Sequence, residues 1–165
     1  MSNIEFVDLD QRFETILYQW RTRPSVERVM GRRFSSDYAS HLVWCHSVQN
    51  DASSINLIAL VEEEPIAYCS LTDAFSKYPI SGFVLGDERR VHLCKSVLTQ
   101  FYSFLWQEKK IKMIFGYISR ENKNMAVINQ LMGWQICCER EFVEKVAGLG
   151  LQVHHFNLIQ LDLNN

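Results

Sequence analysis

A change of hydrophobic period in the middle of the chain most limits its fold. Residues 55–61, 66–71 and 80–85 are short apolar runs separated by charged or polar turns, a pattern typical of consecutive antiparallel strands. Residues 111–118 form another apolar run that predicts a strand. Between these strands, apolar residues recur with the spacing of one long amphipathic helix, at Cys94, Val97, Leu98, Phe101, Phe104 and Leu105. The chain therefore predicts a three-stranded meander followed by a βαβ crossover.

The flanking segments extend this pattern. Residues 4–9 predict a first strand, and two helices follow, the first interrupted by Pro24. After the crossover, Asn122 caps a helix that Gly133 ends, and residues 134–138 and 153–163 predict closing strands. The order is β-α-α-β-β-β-α-β-α-β-β. We expect one mixed α/β domain over residues 1–165, with a mostly antiparallel sheet flanked by helices.

Composition narrows the classes of function. The net charge of −2 offers no global attraction to nucleic acid, and no apolar run approaches the roughly 20 residues that span a membrane. An odd number of cysteines without a CxxC spacing and an acidic N-terminus without an apolar run favour a reducing, cytoplasmic location. His154 and His155 are neighbours in a predicted strand and would face opposite sides, so no metal site is expected.

The junction before the long helix predicts an anion site. Free N–H groups and the positive end of the helix dipole would meet there, and Arg89 and Arg90 add charges suited to phosphate. The alternative is a solvated loop in which Asp87 and Glu88 pair locally with the two arginines.

This junction resembles the signature loop of the GNAT superfamily of acetyl-CoA-dependent N-acetyltransferases. Val84 matches the leading valine, Gly86 stands at the proline, Arg89 matches the first arginine, and Val97 and Leu98 match the paired leucines. His92 and Cys94 stand where the family has glycine. The resemblance implies that acetyl-CoA is the cofactor and that the fold is GNAT-like. The residues implied to bind the cofactor are Val84, Leu85, Arg89, Arg90, Val91, His92, Leu93, Cys94 and Asn122.

Two further segments are similar to the same superfamily. Residues 122–134 keep the capping asparagine, Asn122, and the Gly133-Trp134 ending of a helix motif. Asn129 stands where a tyrosine commonly acts as general acid, and an amide cannot donate a proton in that way. Near the N-terminus, Trp20, Arg21, Pro24, Val26 and Met30, followed by His41 and Trp44, match one branch of the superfamily. That branch includes acetyltransferases acting on UDP-linked 4-amino sugars in pseudaminic acid biosynthesis and ribosomal-protein alanine acetyltransferases.

Two residues are candidates for proton removal from the amine. His41 has an unperturbed pKa of about 6.5, whereas Tyr117, at a position where this branch often has a carboxylate, has one of about 10 and would act through water. The alternatives are a helix-face histidine bonded to backbone and an aromatic ring packed on the sheet. Met30 and Trp44 are candidates to line the acceptor pocket, with core packing as their alternative.

The resemblance implies transfer of an acetyl group to the primary amine of a small acceptor, with a nucleotide-linked amino sugar favoured. A protein or peptide N-terminal acetyltransferase is the second hypothesis. The third is a degenerate GNAT domain that binds a CoA-like ligand or a protein partner without turnover, which the changes at His92, Cys94 and Asn129 favour. By analogy with folds whose terminal strands pair between subunits, a homodimer is a further hypothesis.

Overall fold

The computed structural model describes residues 3–30 and 37–164, with the backbone alone for Met30. The strands are β1 (Ile4–Asp8), β2 (Ile55–Val61), β3 (Glu64–Thr72), β4 (Ile80–Leu85), β5 (Met113–Ser119), β6 (Gln135–Ile136) and β7 (Phe156–Asp162). The α-helices are α1 (Glu14–Arg21), α2 (Pro24–Met30), α3 (Tyr38–Gln49), α4 (Cys94–Gln107), α5 (Lys123–Leu131) and α6 (Arg140–Gly148). Short 3₁₀ turns cover Gln11–Phe13, Glu88–Leu93 and Val153–His155.

The strands form one sheet in the order β1-β2-β3-β4-β5-β7-β6. Every neighbouring pair is antiparallel except β4 and β5, which run parallel because α4 crosses over between them. The predicted mixed, mostly antiparallel sheet with a βαβ crossover is therefore confirmed. The strand order follows the chain from β1 to β5 and becomes non-sequential where β7 lies between β5 and β6.

Helices cover both faces of this sheet. The apolar side of α4, including Val97, Leu98 and Phe101, packs with β2 and β3 residues in the largest core cluster, and α5 joins its margin. Leu17 and Trp20 of α1 pack against a separate cluster that includes Val84. Because successive strand residues point to opposite faces, β4 presents Val84 toward α1 while Phe83 and Leu85 border the α4 cluster.

The last quarter of the chain differs from the sequence prediction. α6 was not predicted, although Phe142 and Val146 are spaced four apart and both are fully buried. The strand predicted over residues 134–138 is the two-residue β6, and the final strand begins at Phe156. The prediction that His154 and His155 face opposite sides of a strand is wrong, since they lie in a 3₁₀ turn with ring centroids 4.1 Å apart.

The close contact of Gly86 with Trp20 fixes α1 against the end of β4. Gly86 N–H donates to the Ile66 carbonyl at 2.7 Å, which holds the chain beside β3. A Cβ at Gly86 would lie 2.5 Å from the Trp20 ring and 2.8 Å from the Ile66 oxygen, and both distances are too short. The position that resembles the family's proline therefore requires glycine here.

We expect Gly86→Ala to lower the free energy of unfolding by about 1–3 kcal/mol, because the Trp20 ring and the β3 backbone must move apart. Urea unfolding followed by tryptophan fluorescence measures this change. Gly148→Ala is the matched control, since a Cβ at Gly148 meets no atom within 4 Å among the described residues. Equal unfolding midpoints for Gly86→Ala and wild type would contradict the contact.

Candidate functional site

The site lies where β4 and β5 part. The two strands share the pair Ile80 and Phe115, supported by a 2.8 Å hydrogen bond from Phe115 N–H to the Pro79 carbonyl. Within residues 3–30 and 37–164, no further register pair joins them. A cavity of about 640 Å³ opens between residues 81–85 of β4 and residues 116–119 of β5. We call this gap the wedge.

Peptide groups of β4 face the wedge without a strand partner. Antiparallel pairing alternates, and Gly86 bonds to Ile66 of β3, so the peptide groups of Gly82 and Val84 also point toward β3. Those of Phe83 and Leu85 therefore point into the wedge. Buried peptide groups need hydrogen-bond partners, so a ligand with amide groups of its own would fit along β4 like an additional strand.

The wide end of the wedge is the turn Glu88–Leu93 before α4. The Asp87 carboxylate caps this turn, accepting hydrogen bonds from Arg89 N–H at 2.9 Å and from the Arg89 guanidinium at 2.8 Å. The Arg89 side chain holds the pKa of Asp87 at about 2. Arg90 pairs with Glu64 of β3. Both arginines therefore have acidic partners. The local pairing that was the alternative to phosphate binding is present for Arg89 with Asp87, whereas the partner of Arg90 is Glu64 rather than Glu88.

The residues predicted to bind the cofactor divide into two groups. The cavity is lined by Val84, Leu85, Val91, Cys94 and Asn122, together with Tyr117. Arg89, Arg90, His92 and Leu93 stand outside its lining. Cys94 begins α4 with helical angles, φ −49° and ψ −52°, and burial raises the pKa of its thiol to about 11, which keeps it protonated.

The start of α2 forms the wall opposite the turn. Arg23 donates from its guanidinium to the carbonyl oxygens of Leu85 and Gly86 at the end of β4. Ser25 donates to the Glu88 carboxylate at 2.8 Å. These hydrogen bonds fasten the start of α2 to the strand and the turn that border the cavity. This part of the chain also lines the cavity, through Arg23, Ser25, Val26, Arg28 and Val29.

The narrow end of the wedge is formed by β4, β5, α4 and the chain that follows α5. Ser81 of β4 and Gly116 of β5 lie where the strands part, with Tyr102 of α4 and Trp134 after α5 also lining the cavity. A Cβ at Gly116 would lie 3.5 Å from the Trp134 ring, an ordinary contact distance that places the indole beside β5. Asn129 of α5, which is buried, completes this end.

His41 and Trp44 lie in a different part of the molecule, between α1 and α3. His41 is buried, and its Nε2 donates to the Glu14 carbonyl at 2.8 Å and lies 3.3 Å from Cys45 Sγ. The Arg21 guanidinium stacks over the Trp44 ring at 3.5 Å and approaches His41 Nδ1 at 3.5 Å. Neither residue lines the cavity, and the Met30 side chain lies outside the described residues.

We expect His41 to make the fold less stable in mild acid. Burial, with a smaller contribution from the Arg21 charge, lowers its pKa below the ordinary 6.5, so the unfolded chain binds the proton more readily. The free energy of unfolding should therefore fall as pH decreases from about 7 to 5. Urea midpoints should depend less on pH in His41→Gln. An unchanged pH dependence in that variant would show that other groups cause it.

Metal-binding clusters and membrane-spanning helices are absent from the described residues. Among them, no group of three or more His, Cys, Asp and Glu side chains is placed to hold a metal ion. No described helix has both the length and the apolar character that a membrane span needs.

The comparisons with known proteins rest on structure. No protein-family model matches the sequence, and no curated protein matches it. A domain from Methanocaldococcus jannaschii superposes with a TM-score of 0.78 at 13% identity, covering 98% of this chain and 99% of that one. The Campylobacter jejuni N-acetyltransferase PseH gives 0.70 at 13% identity, covering 96% and 97%. The Vibrio cholerae spermidine N-acetyltransferase, in complex with CoA and spermine, gives 0.80 at 6% identity, covering 98% and 96%.

The full-length coverage establishes that this chain has the fold of these acetyltransferases, the GNAT fold. At such low identity the likeness is one of fold. No local sequence pattern indicated that Arg23, Ser81 and Tyr102 line the cavity, because this depends on the open edge of β4 and on how α2 and α4 pack beside it. Trp134 was matched only as the end of a helix motif, and its contact with Gly116 has no local sequence signal.

Proposed function

We propose that this protein is an acetyl-CoA-dependent N-acetyltransferase that acts on the primary amine of a small acceptor. The wedge is the observation on which this proposal depends, because the Phe83 peptide groups and the Leu85 N–H face a cavity of about 640 Å³ without a partner strand. The Leu85 carbonyl accepts from Arg23. The V. cholerae structure holds CoA, and PseH has also been solved with acetyl coenzyme A. Both neighbours share this fold, which supports the same cofactor here.

The residues present fit such a cofactor. Phe83 and Leu85 would pair with the amide groups of its arm, and Val91, Cys94 and Asn122 would border it at the wide end. Arg89 and Arg90 stand just outside that end and would meet its phosphates by exchanging their carboxylate partners, Asp87 and Glu64. The cofactor supplies an acyl group activated as a thioester.

The chain would orient the reacting groups and move one proton. N–H groups of β4 that face the wedge would donate to the acyl carbonyl oxygen and stabilise negative charge there. Tyr117 lines the cavity and points to the face of β5 opposite Gly116, with its ring edge-on to Phe156 at 5.5 Å. From that position Tyr117 and a water molecule would take the proton that the amine loses.

The charged residues of the cavity favour an acceptor with an anionic group. Its charged lining consists of three basic residues, Arg23, Arg28 and Lys123, and two acidic residues, Glu88 and Glu121. The Glu88 carboxylate already accepts a hydrogen bond from Ser25. A polyamine would require more carboxylates, whereas a nucleotide-linked amino sugar presents phosphates to the arginines of α2. The N-terminal motif that resembles the amino-sugar enzymes agrees with this choice, and a peptide N-terminus is the alternative acceptor.

A second candidate is a domain that binds a CoA-like ligand without turnover. The capping of the Glu88–Leu93 turn by Asp87 favours it, because that carboxylate already occupies the Arg89 N–H that a phosphate oxygen would take. Asn129 at the place of the family's tyrosine also favours it.

We expect acetyl-CoA to bind with a dissociation constant in the micromolar range, and Arg89→Ala/Arg90→Ala to weaken binding about tenfold or more. Isothermal titration calorimetry measures both. Arg12→Ala is the matched control, because Arg12 is clamped by Asp10 just as Arg89 is by Asp87, but far from the cavity. No binding of acetyl-CoA by wild type would overturn the proposed cofactor.

We expect a UDP-linked 4-amino sugar to be acetylated with a higher kcat/KM than spermidine or an N-terminal peptide. Arg28→Ala should raise KM for the sugar nucleotide several-fold without changing the affinity for acetyl-CoA, since Arg28 lines the α2 wall. Thiol release measures the rates, with Lys112→Ala as a control outside the cavity. A preference for spermidine would reject the anionic acceptor, and thiol release with none of the three amines would favour the non-catalytic candidate.

A further inference from the structure

Arg23 already occupies a group that the arm of the cofactor would use. The carbonyl of Leu85 points into the wedge and accepts a hydrogen bond from the Arg23 guanidinium, which also donates to the Gly86 carbonyl at 2.8 Å. A ligand that lies along β4 like an additional strand would donate an amide N–H to the same Leu85 oxygen. Donors approach a carbonyl oxygen along its lone pairs, so both come from the open edge of β4 and compete for that oxygen.

The charge of Arg23 is poorly compensated in the folded chain. Its partners at the end of β4 are neutral carbonyls, and within the described residues no carboxylate forms an ion pair with it. Arg89 and Arg90, in contrast, are paired with Asp87 and Glu64. Arg23 Nε is buried and also has no hydrogen-bond partner in the described part of the chain. A phosphate carries the opposite charge and can accept two parallel N–H bonds from a guanidinium, so it is a stronger partner for Arg23 than the carbonyls.

The position of α2 indicates whose phosphate this is. Val26 of α2 packs against the cluster that contains Val84, and Tyr117 packs against the cluster that contains Ile80. Val84 and Ile80 are an even number of residues apart on β4, so they point to the same face of the sheet. α2 and Tyr117 therefore share the face where the proposed function places the amine, and a guanidinium released there meets a phosphate of the acceptor.

We propose that Arg23 couples the binding of the two substrates. The arm of the cofactor takes the Leu85 carbonyl, and the Arg23 guanidinium that it displaces binds a phosphate of a nucleoside diphosphate in the acceptor. This inference rests on the proposed function and assigns one residue to both of its binding steps. Coupling between sites is reciprocal, so CoA raises the affinity for a nucleoside diphosphate by the same factor as the nucleoside diphosphate raises the affinity for CoA.

The test measures the binding of UDP by isothermal titration calorimetry, with and without saturating CoA. We expect CoA to lower the dissociation constant of UDP about tenfold in the wild type, within the usual range of coupling between sites. Arg23→Gln removes the charge but keeps an amide that can donate to the Leu85 carbonyl, so UDP should bind this variant equally well with and without CoA. Arg23→Lys keeps the charge and should keep part of the coupling.

Arg28→Gln is the matched control, because Arg28 is an exposed arginine of the same cavity wall. Its loss should weaken UDP binding by the same factor with and without CoA, so the coupling stays. A general loosening of α2 would change the affinity for UDP in the absence of CoA. That affinity should be nearly the same in Arg23→Gln and the wild type, since Arg23 is engaged by the two carbonyls until CoA binds.

For a wild type that binds both CoA and UDP, three results would overturn this inference alone. They are an affinity for UDP that CoA leaves unchanged or lowers, full coupling in Arg23→Gln, and a lower affinity of Arg23→Gln for CoA in the absence of UDP. The last result would mean that Arg23 binds a phosphate of the cofactor. Absence of UDP binding by the wild type would overturn the anionic acceptor, and this inference with it. Absence of CoA binding by the wild type would overturn the proposed function as a whole.

Discussion

A buried peptide group without a partner strand must find another hydrogen-bond partner. On β4 this applies to the peptide groups that face β5 after Ile80. Its outer edge is joined to β5 by a single pair, whereas its inner edge stays paired with β3 along its whole length. The sheet is thus continuous on one side of β4 and open on the other. Everything proposed about the site depends on this opening, since a ligand with amide groups is the natural partner for the exposed edge.

Side chains of β4 and β5 beside the opening are divided between the two faces of the sheet. Alternation along β4 and β5 sends Ser81 and Gly116 toward α4 and α5, and sends Tyr117 toward the other face. α2 reaches that second face and is tied to the end of β4 by Arg23. The two faces of the wedge are therefore bordered by different helices, α2 on one side and α4 with α5 on the other.

Local sequence patterns predicted most of the sheet, because strand and helix periods depend on neighbouring residues. They predicted β4, α4 and β5 and hence the crossover that creates the wedge. They did not predict α6, whose few apolar positions are interrupted by charged residues. For His41 they left open a proton acceptor and a helix-face histidine bonded to backbone, and the structure shows the backbone bond. The ring of His41 is held by the Glu14 carbonyl of another helix, a contact that no local pattern contains. The same holds for Tyr102 and Trp134, whose proximity depends on the packing of α4 beside the chain after α5.

The turn before α4 shows why motif resemblance and geometry must be weighed separately. Asp87 clamps Arg89 through the N–H and the guanidinium, and Asp10 clamps Arg12 in the same way at the Gln11–Phe13 turn, which does not line the wedge. The same arrangement thus occurs twice in one chain, once away from the wedge, so it is a way to start a helical turn rather than a mark of phosphate binding. A phosphate at Arg89 must displace a carboxylate, which costs part of the affinity that a glycine loop would offer. The case for a cofactor therefore depends on the open edge of β4, which β5 pairs only at Ile80.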